Sequence, residues 1–423
     1  MEIALIFTGA LIFFSLIFNA LFEKTRVPNV LFLLFVGLLI GPVFNLVSPE
    51  DLGRLGKIFT TITLIVILYE SGTRLKFEGI GTAIGPASLL TIFNFLVPVA
   101  VGMAVGYFGL GLELLPSAFL GACVGSISTP IILPMLRQLK LGKKAENVVF
   151  LECALSDIVC LIGALALLDA MDSGSFSISD TIKHMAISLL FATSIGLAVG
   201  YFWTNIRRYV VTKLKNSMFT SFALAFMLYG FCELLGVNGG MAVLSFGFIL
   251  GNINDLSDIL EKRSSLGKDF IKRKNPMLLM EDERNFYSEI AFIFKTFFFV
   301  YIGMSIRLSE SEHIVMGILF ISLMFIVRIP SIALFCRKGY SPRDRRIMSI
   351  LNPKGLVSAV LASMPLQLAV TEQEIRTGEV IQNIGYASVM FSIIIFSLLI
   401  FLVEKFDKKD NSDRTQNEGN LQS

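Results

Sequence analysis

Continuous apolar runs of about twenty residues recur along this chain, and they constrain its fold more than any other feature. A run of that length spans the hydrocarbon core of a bilayer as an α-helix, whereas spanning β-strands are shorter and alternate in polarity. The 423 residues are 54% hydrophobic and only 16% charged, so a soluble fold would expose large apolar patches. We therefore expect an all-α polytopic membrane protein that lies within the lipid bilayer.

The apolar runs number about thirteen, and together they account for residues 1–404. The short ninth run is separated from the eighth by the segment from Gly236 to Gly240. The predicted spans are 3–22, 29–47, 55–73, 82–107, 115–136, 146–168, 184–203, 217–235, 238–251, 288–306, 314–335, 348–370 and 383–403. The remaining segment, 405–423, is polar, and we expect a short disordered tail.

The basic residues predict how these spans are oriented. If the N-terminus lies outside, 28 of the 36 Lys and Arg residues fall in inner loops or in the tail, and 5 fall in outer loops. The other three, Lys295, Arg328 and Lys354, lie within predicted spans. Because loops on the cytoplasmic side carry an excess of positive charge, the sequence predicts an outside N-terminus and a cytoplasmic C-terminus. No targeting or cleavable segment is recognised, which indicates a plasma membrane location.

Two segments recur in the same order along the chain. Residues 35–41 of span two resemble residues 245–251 of span nine, and residues 68–75 of span three resemble residues 300–308 of span ten. Because the offset of seven spans is odd, the two copies would face opposite ways across the membrane. Inverted repeats are typical of secondary transporters. Chance similarity remains the alternative, since glycine patterns are common in membrane helices.

The same offset pairs span five with span twelve, and both contain helix-breaking residues. Span five contains Thr129, Pro130 and Pro134, and span twelve contains Pro353 and Gly355. Proline removes a backbone donor and clashes with the preceding turn. We therefore expect two broken helices that cross near a transport site, because interrupted spans at corresponding places in two halves mark such sites. Simple proline kinks are the alternative interpretation.

One acid lies in the middle of span six and is the strongest functional indication in the chain. Asp157 is about 16 Å from the start of this span, near the midplane of the bilayer. An ionisable residue there is expensive to insert and suggests binding of a cation or a proton. The alternative role is an acid that caps a broken helix end. The spacing of four residues places Cys153 on the face of Asp157, whereas Glu152 and Ser156 share another face.

The other intramembrane charges suggest ion pairs. We predict that Glu152 pairs with Arg328, because a buried arginine needs a partner. A water-filled cavity around Arg328 is the alternative. Glu70, near the inner end of span three, is predicted either to line an ion pathway or to be merely solvated. Lys295 has the same two alternatives and is also a candidate partner for Glu70. Lys354 is predicted to face water. The two histidines, His184 and His313, lie at outer span edges, where they are interfacial or sense pH.

Other functional classes find less support in the sequence. No zinc motif, nucleophile elbow or phosphate-binding loop is recognised, so we expect neither an enzyme nor a cofactor, and nothing indicates nucleic-acid binding. The five cysteines lie in apolar runs as packing residues. An ion channel would need a continuous pore with selectivity rings, and an organic-solute carrier would favour unpaired basic residues. Both remain alternatives.

The ordered set of motifs resembles the monovalent cation/proton antiporter superfamily, and most of all its sodium/proton exchanger branch. The resemblance rests on Pro28 with residues 37–42, Ser128-Thr129-Pro130, Glu152 followed by Asp157, residues 297–303, Arg328, and residues 353–356. It covers about residues 1–404. Two positions depart from the family: the usual Thr-Asp-Pro is Ser-Thr-Pro here, and Ser156 stands where asparagine or aspartate is usual.

The resemblance implies a particular architecture and activity. It implies a homodimer with an elevator motion, in which spans 1–3 and 8–10 form a dimerisation domain and spans 4–6 and 11–13 form a mobile core, with span seven as the linker. It also implies that Asp157 and Thr129 bind Na⁺ in exchange for H⁺, and that Glu152 and Arg328 form a structural pair.

A single acid at the ion site predicts electroneutral exchange of one cation for one proton. The expected ligands around Asp157 and Thr129 include the hydroxyls of Ser128 and Ser156, with the Cys153 position and Glu70 as further candidates. When Asp157 is ionised it would replace the water around a cation, and when it is protonated it would release that cation. Potassium is the alternative substrate, and Li⁺ is a further candidate cation.

Overall fold

The fold is described from a computed structural model, which covers residues 9–17, 28–47, 49–74, 80–173, 178–213, 218–263, 281–337 and 339–421. Both ends of the first predicted span and the last two residues of the predicted tail lie outside these ranges. The side chain of His184 is likewise outside the described part of the chain. The described residues are mostly helical, with no β-strand among them.

The helices are labelled α1 to α15 in chain order. They are α1 (residues 9–17), α2 (Asn29–Leu38), α3 (Pro49–Arg74), α4 (Ile80–Ala104), α5 (Leu114–Cys123), α6 (Thr129–Leu139), α7 (Lys143–Ser173), α8 (Ile178–Lys213), α9 (Met218–Leu234), α10 (Gly239–Arg263), α11 (Glu281–Ser305), α12 (Ser311–Phe335), α13 (Pro342–Ile350), α14 (Leu356–Leu368) and α15 (Glu372–Leu421). Short π-helical turns, Leu39–Val43 and Val105–Gly109, continue α2 and α4. The first contains Pro42, and proline often causes such an irregularity because it lacks a backbone donor.

Five described helices are long and apolar enough to cross a membrane, judged by length and composition. They lie at Ala83–Gly109, Lys143–Met171, Glu281–Ser305, Ser311–Phe335 and Glu372–Val403. Several shorter apolar helices accompany them, including α5, α9 and α14. The helical class predicted from the sequence is therefore present. The count of thirteen spans stays a prediction, because spans five and twelve are each divided between two shorter helices.

The chain divides into two compact units. The first comprises residues 1–48, 81–168 and 300–423, and the second comprises residues 49–80 and 169–299. All six spans predicted to form the mobile core lie within the first unit, whereas spans three and seven to nine lie in the second. The division into a core and a dimerisation domain stays a prediction.

Glycines allow close helix contacts within each unit. In the first unit, Gly37 of α2 lies against Gly303 of α11, and in the second, Gly72 of α3 lies against Gly247 of α10. At each contact a Cβ atom would overlap the backbone of the facing helix. Small residues at helix contacts are how membrane helices pack closely. In the predicted repeat, Gly37 of the first contact corresponds to Gly247 of the second; the repeat itself stays a prediction. The inverted direction of the copies stays a prediction.

The last helix differs from the sequence prediction. Helix α15 continues to Leu421, through the segment in which a disordered tail is expected. The physical reason is that extending an existing helix orders one residue for each hydrogen bond formed, which costs much less than starting a helix. Polar residues such as Lys and Glu are also good helix formers.

Candidate functional site

The first helix break lies in the first unit, where span five is divided into α5 and α6. Helix α5 ends at Cys123, and α6 begins at Thr129 after the non-helical residues 124–128. Pro130 occupies the first turn of α6, where the missing backbone donor costs nothing and the fixed φ favours helix initiation. Pro134 lies inside α6. The predicted break is therefore at the N-terminus of a half-helix, with the hydroxyl of Thr129 at its first position.

The second break divides span twelve into α13 and α14. Helix α13 ends at Ile350 and α14 begins at Leu356, with residues 351–355 non-helical between them. This segment contains Asn352, Pro353, Lys354 and Gly355, and all four are buried. Proline disfavours helical geometry at the residue before it, so Pro353 accounts for the interruption after the last turn of α13.

The two breaks contact each other. The backbone N–H of Ser128 donates to the carbonyl of Pro353 at 2.8 Å. The hydroxyls of Ser126 and Ser358 lie 3.1 Å apart, and both are buried. Gly355 faces Ser128 so closely that a Cβ on Gly355 would overlap the serine hydroxyl. Backbone groups freed from two helices are thus brought to one buried place in the first unit.

Asp157 lies beside this contact, in the middle of α7. The hydroxyl of Thr129 donates to the Asp157 carboxylate at 3.1 Å. The Oγ atom of Ser128 is buried and has no hydrogen-bond partner within the described part of the chain. A buried hydroxyl without a partner is unusual in native proteins. The role of Ser128 as a cation ligand stays a prediction.

The neighbouring residues of α7 have structural partners. The hydroxyl of Ser156 donates to the carbonyl of Cys153 at 2.8 Å and accepts from the backbone N–H of Ile127 at 3.1 Å. Ser156 therefore holds the first helix break against α7, and its role as a cation ligand stays a prediction. The thiol of Cys153 is buried, and its role as a ligand stays a prediction.

Glu152 and Arg328 form a buried pair, as the sequence predicts. The guanidinium of Arg328 makes two hydrogen bonds to the Glu152 carboxylate, at 2.8 and 3.0 Å, and both side chains are fully buried. The Nε atom of Arg328 donates to the carbonyl of Met348 at 3.0 Å. The amide of Asn94, in α4, also donates to Glu152. The charge of Glu152 is thereby balanced by that of Arg328.

The structure corrects the prediction for Lys354. This side chain was expected to face water, yet it is 1% exposed. Its ammonium group donates to the Asn352 side chain at 2.9 Å, and its backbone N–H donates to the hydroxyl of Ser392 at 2.8 Å. The non-helical backbone turns the side chain inward, which a position near a predicted span end does not reveal.

The remaining charged candidates lie elsewhere. In the second unit, Glu70 accepts from Lys295 at 3.1 Å and from Arg74 at 2.6 Å, so the predicted Glu70–Lys295 pair is present. In the first unit, His313 contacts Glu310. The part that Glu70 plays in ion binding stays a prediction.

Sequence reasoning missed several polar residues of the site, among them Asn94, Ser358 and Ser392. Each lies in an apolar run, where a polar side chain that needs a partner is itself a signal. Their contacts join helices distant in sequence, and no spacing rule within one helix identifies such pairs. Among the described residues, no three His, Cys, Asp or Glu side chains cluster as a metal site would require. One carboxylate with hydroxyl oxygens suits a single monovalent cation better than a divalent one.

Comparisons with known proteins agree with this geometry. The family model described as "Sodium/hydrogen exchanger, transmembrane" matches residues 9–405. The K(+)/H(+) antiporter NhaP2 from Shewanella sp. (strain ANA-3) is 22% identical over 398 residues, which cover 91% of this chain and 63% of that protein. The Na(+)/H(+) antiporter NhaS5 from Synechocystis sp. is 23% identical over 260 residues, or 61% of this chain and 36% of that protein. This chain therefore spans less than two thirds of either relative.

A solved structure shares the fold. The sodium proton antiporter MjNhaP1 from Methanocaldococcus jannaschii, determined at pH 8, aligns with a TM-score of 0.72 at 16% identity. The alignment covers 95% of this chain and 98% of that structure. Because the family model covers nearly the whole chain, this protein belongs to the transmembrane sodium/hydrogen exchanger family.

Proposed function

We propose that this protein is a monovalent cation/proton antiporter in which Asp157 binds the two ions alternately. The observation that carries the proposal is the hydrogen bond from Thr129, at the N-terminus of a half-helix, to an intramembrane aspartate beside two contacting helix breaks. An acid at that depth needs a function or a basic partner. Arg328 does not serve as that partner, because it already pairs with Glu152.

Competition at one carboxylate provides the coupling. Ionised Asp157, the Thr129 hydroxyl and the unpartnered Ser128 hydroxyl replace part of the hydration shell of the cation. Protonation of Asp157 removes the negative charge and releases the cation. If the cation-loaded and proton-loaded forms of the site cross the membrane and the empty charged form does not, the cation flux is coupled to a proton flux in the opposite direction. One acid predicts one cation for one proton, hence electroneutral exchange.

Na⁺ is the cation we propose first, with K⁺ as the second candidate. The family and the structural neighbour are named for sodium, whereas the relative that matches most of the chain is named for potassium. Along with this activity we propose a homodimer in a plasma membrane, an elevator motion, and an outside N-terminus. The family resemblance and the distribution of basic residues support these parts of the proposal.

The test is proton movement in proteoliposomes that contain a pH-sensitive dye and an imposed proton gradient. Na⁺, K⁺, Li⁺ or choline chloride is added in turn to the wild type, to Asp157→Asn and to Asp169→Asn. Asp169 is an exposed acid of the same helix and is a matched control for the chemical change. We expect an alkali cation to move protons in the wild type and in Asp169→Asn, and not in Asp157→Asn. Exchange retained by Asp157→Asn would refute the proposal, provided that all three proteins are monodisperse and folded.

A further inference from the structure

The contact between the two helix breaks includes a hydroxyl pair that the exchange mechanism does not use. Ser126 lies in the first break and Ser358 in the first turn of α14, with their Oγ atoms 3.1 Å apart and each side chain 1% exposed. Within the described part of the chain, this is the one hydrogen bond that the Ser358 hydroxyl makes. Because buried hydroxyls need a partner, the two serines orient each other.

Ser126 also belongs to the surroundings of Asp157. Its hydroxyl interacts with the Asp157 carboxylate, which accepts a hydrogen bond from Thr129 as well. Ser358 makes no hydrogen bond to that carboxylate among the described residues, and its contact is with Ser126. Any effect of Ser358 on the carboxylate or on an ion bound there therefore passes through the Ser126 hydroxyl.

The chemistry of a hydroxyl gives this chain of contacts a meaning. A serine hydroxyl has one hydrogen and two lone pairs, and either serine of the pair can be the donor. When Asp157 is ionised and empty, Ser126 can donate to the carboxylate and accept from Ser358. A cation at Asp157 instead needs a lone pair of the Ser126 oxygen, so the Ser126 hydrogen must turn to another acceptor. The Oγ atom of Ser358 is placed to accept it.

We propose that Ser126 is a ligand of the transported cation, and that Ser358 is a positioning residue that accepts the Ser126 hydrogen while the cation is bound. The hydrogen bond of the pair thus reverses its direction each time the site is loaded or emptied. In the empty site Ser126 reaches the carboxylate without help, so Ser358 acts on cation binding and not on proton binding. This inference rests on the proposed exchange at Asp157 and adds the residue that aims one ligand.

This division of roles predicts different effects of the two serines on the pH dependence of cation binding. Without Ser358, the intrinsic affinity for the cation falls by about fivefold, the value of one hydrogen bond, and by the same factor at every pH. Without Ser126, the affinity falls and the pH range over which the cation is lost also moves, because the ionised carboxylate loses an interaction. A purely structural Ser358 would change cation binding whether or not Ser126 is present.

The experiment measures the half-maximal cation concentration for exchange in proteoliposomes, at several pH values, for the wild type, Ser126→Ala, Ser358→Ala and the double variant. Ser358→Thr keeps the hydroxyl, and Ser358→Cys fills the space of serine with a weak hydrogen-bonding group if alanine disturbs folding. Ser397→Ala is the matched control, because that hydroxyl donates to Ile393 within α15. The dependence of the unfolding temperature on Na⁺ or K⁺ concentration gives binding for any variant that binds without transporting.

We expect the half-maximal cation concentration to rise about fivefold at every pH in Ser358→Ala, and in the same direction in Ser358→Cys. Ser358→Thr and Ser397→Ala should stay close to the wild type. In the double variant, the loss of Ser358 should add nothing to the effect of Ser126→Ala.

Two results would overturn this inference while the wild-type exchange stands. They are unchanged cation binding in Ser358→Ala and Ser358→Cys, or an effect of Ser358→Ala that persists in full beside Ser126→Ala. A wild type that neither exchanges nor binds alkali cations would instead overturn the proposed function, and this inference with it.

Discussion

Removing one member of the Glu152–Arg328 pair should cost far more stability than removing both. Each side chain is fully buried, and they share two hydrogen bonds of 2.8 and 3.0 Å. In Arg328→Met, the amide of Asn94 is the one donor left to the Glu152 carboxylate within the described part of the chain. The carbonyl of Met348 loses one of two donors, since the backbone N–H of Leu351 remains at 3.4 Å. An uncompensated buried charge of this kind costs about 3–5 kcal/mol of unfolding free energy.

The double variant Glu152→Leu/Arg328→Met removes both charges and fills the space with apolar atoms. Replacement of a buried ion pair by hydrophobic residues is often neutral, and the penalty left here is the Asn94 amide without its carboxylate partner, about 1–3 kcal/mol. We therefore expect the double variant to be no less stable than either single variant. The coupling energy of the cycle should be about 2 kcal/mol or more.

The assay is an unfolding titration of purified protein in mixed micelles, with reversibility checked at each midpoint. Arg337→Met, an exposed arginine close in sequence, is the control and should change the unfolding free energy by less than about 0.5 kcal/mol. Single-variant costs near 1 kcal/mol, or costs that simply add in the double variant, would show that the pair is not the buried, charge-balanced unit described here.

Three further substitutions test the site and the packing. Gly355→Ala should abolish exchange in the proteoliposome assay, because a Cβ there overlaps the facing Ser128 hydroxyl and separates the two helix breaks. Wild-type activity in this variant would contradict the close contact between the breaks. Gly72→Ala should lower the unfolding free energy by about 1–3 kcal/mol, because the added Cβ overlaps the facing helix. In the control Gly230→Ala, the added Cβ meets nothing within 4 Å, so the unfolding free energy should stay the same or rise by up to about 1 kcal/mol. Equal effects of the two substitutions would refute the close approach at Gly72. Thr129→Val should raise the half-maximal cation concentration about tenfold or more, because it removes the hydroxyl oxygen proposed as a cation ligand beside Asp157. Thr129→Ser should restore the wild-type value. A normal value in Thr129→Val would exclude the threonine as a ligand.

Residues that are costly to bury without a partner could be predicted from the sequence. A carboxylate and a guanidinium deep in apolar runs each need a partner, so the pair of Glu152 and Arg328 follows from the cost of burying either alone. The helix breaks follow from proline chemistry in the same way, and the structure interrupts both spans near Pro130 and Pro353. Helical class follows from the length of the apolar runs.

Other features depend on how distant segments meet, and sequence reasoning does not reach them. Burial of Lys354 results from the path of a non-helical segment that packs against Ser392 of α15. The amide of Asn94 joins Glu152 across 58 residues of chain. The extension of α15 to Leu421 follows from propagation of a helix whose middle part, residues 383–403, is apolar.

The central claim is that a cation and a proton compete for Asp157, and the most direct test is the pH dependence of cation affinity. The half-maximal cation concentration and the maximal rate are measured in proteoliposomes over a series of pH values, with the same pH on the cation-binding side throughout each run. Competition for one carboxylate predicts that the half-maximal concentration rises toward tenfold for each unit of falling pH, at a constant maximal rate. A maximal rate that falls while the half-maximal concentration stays constant would place the proton at a separate site and contradict the account.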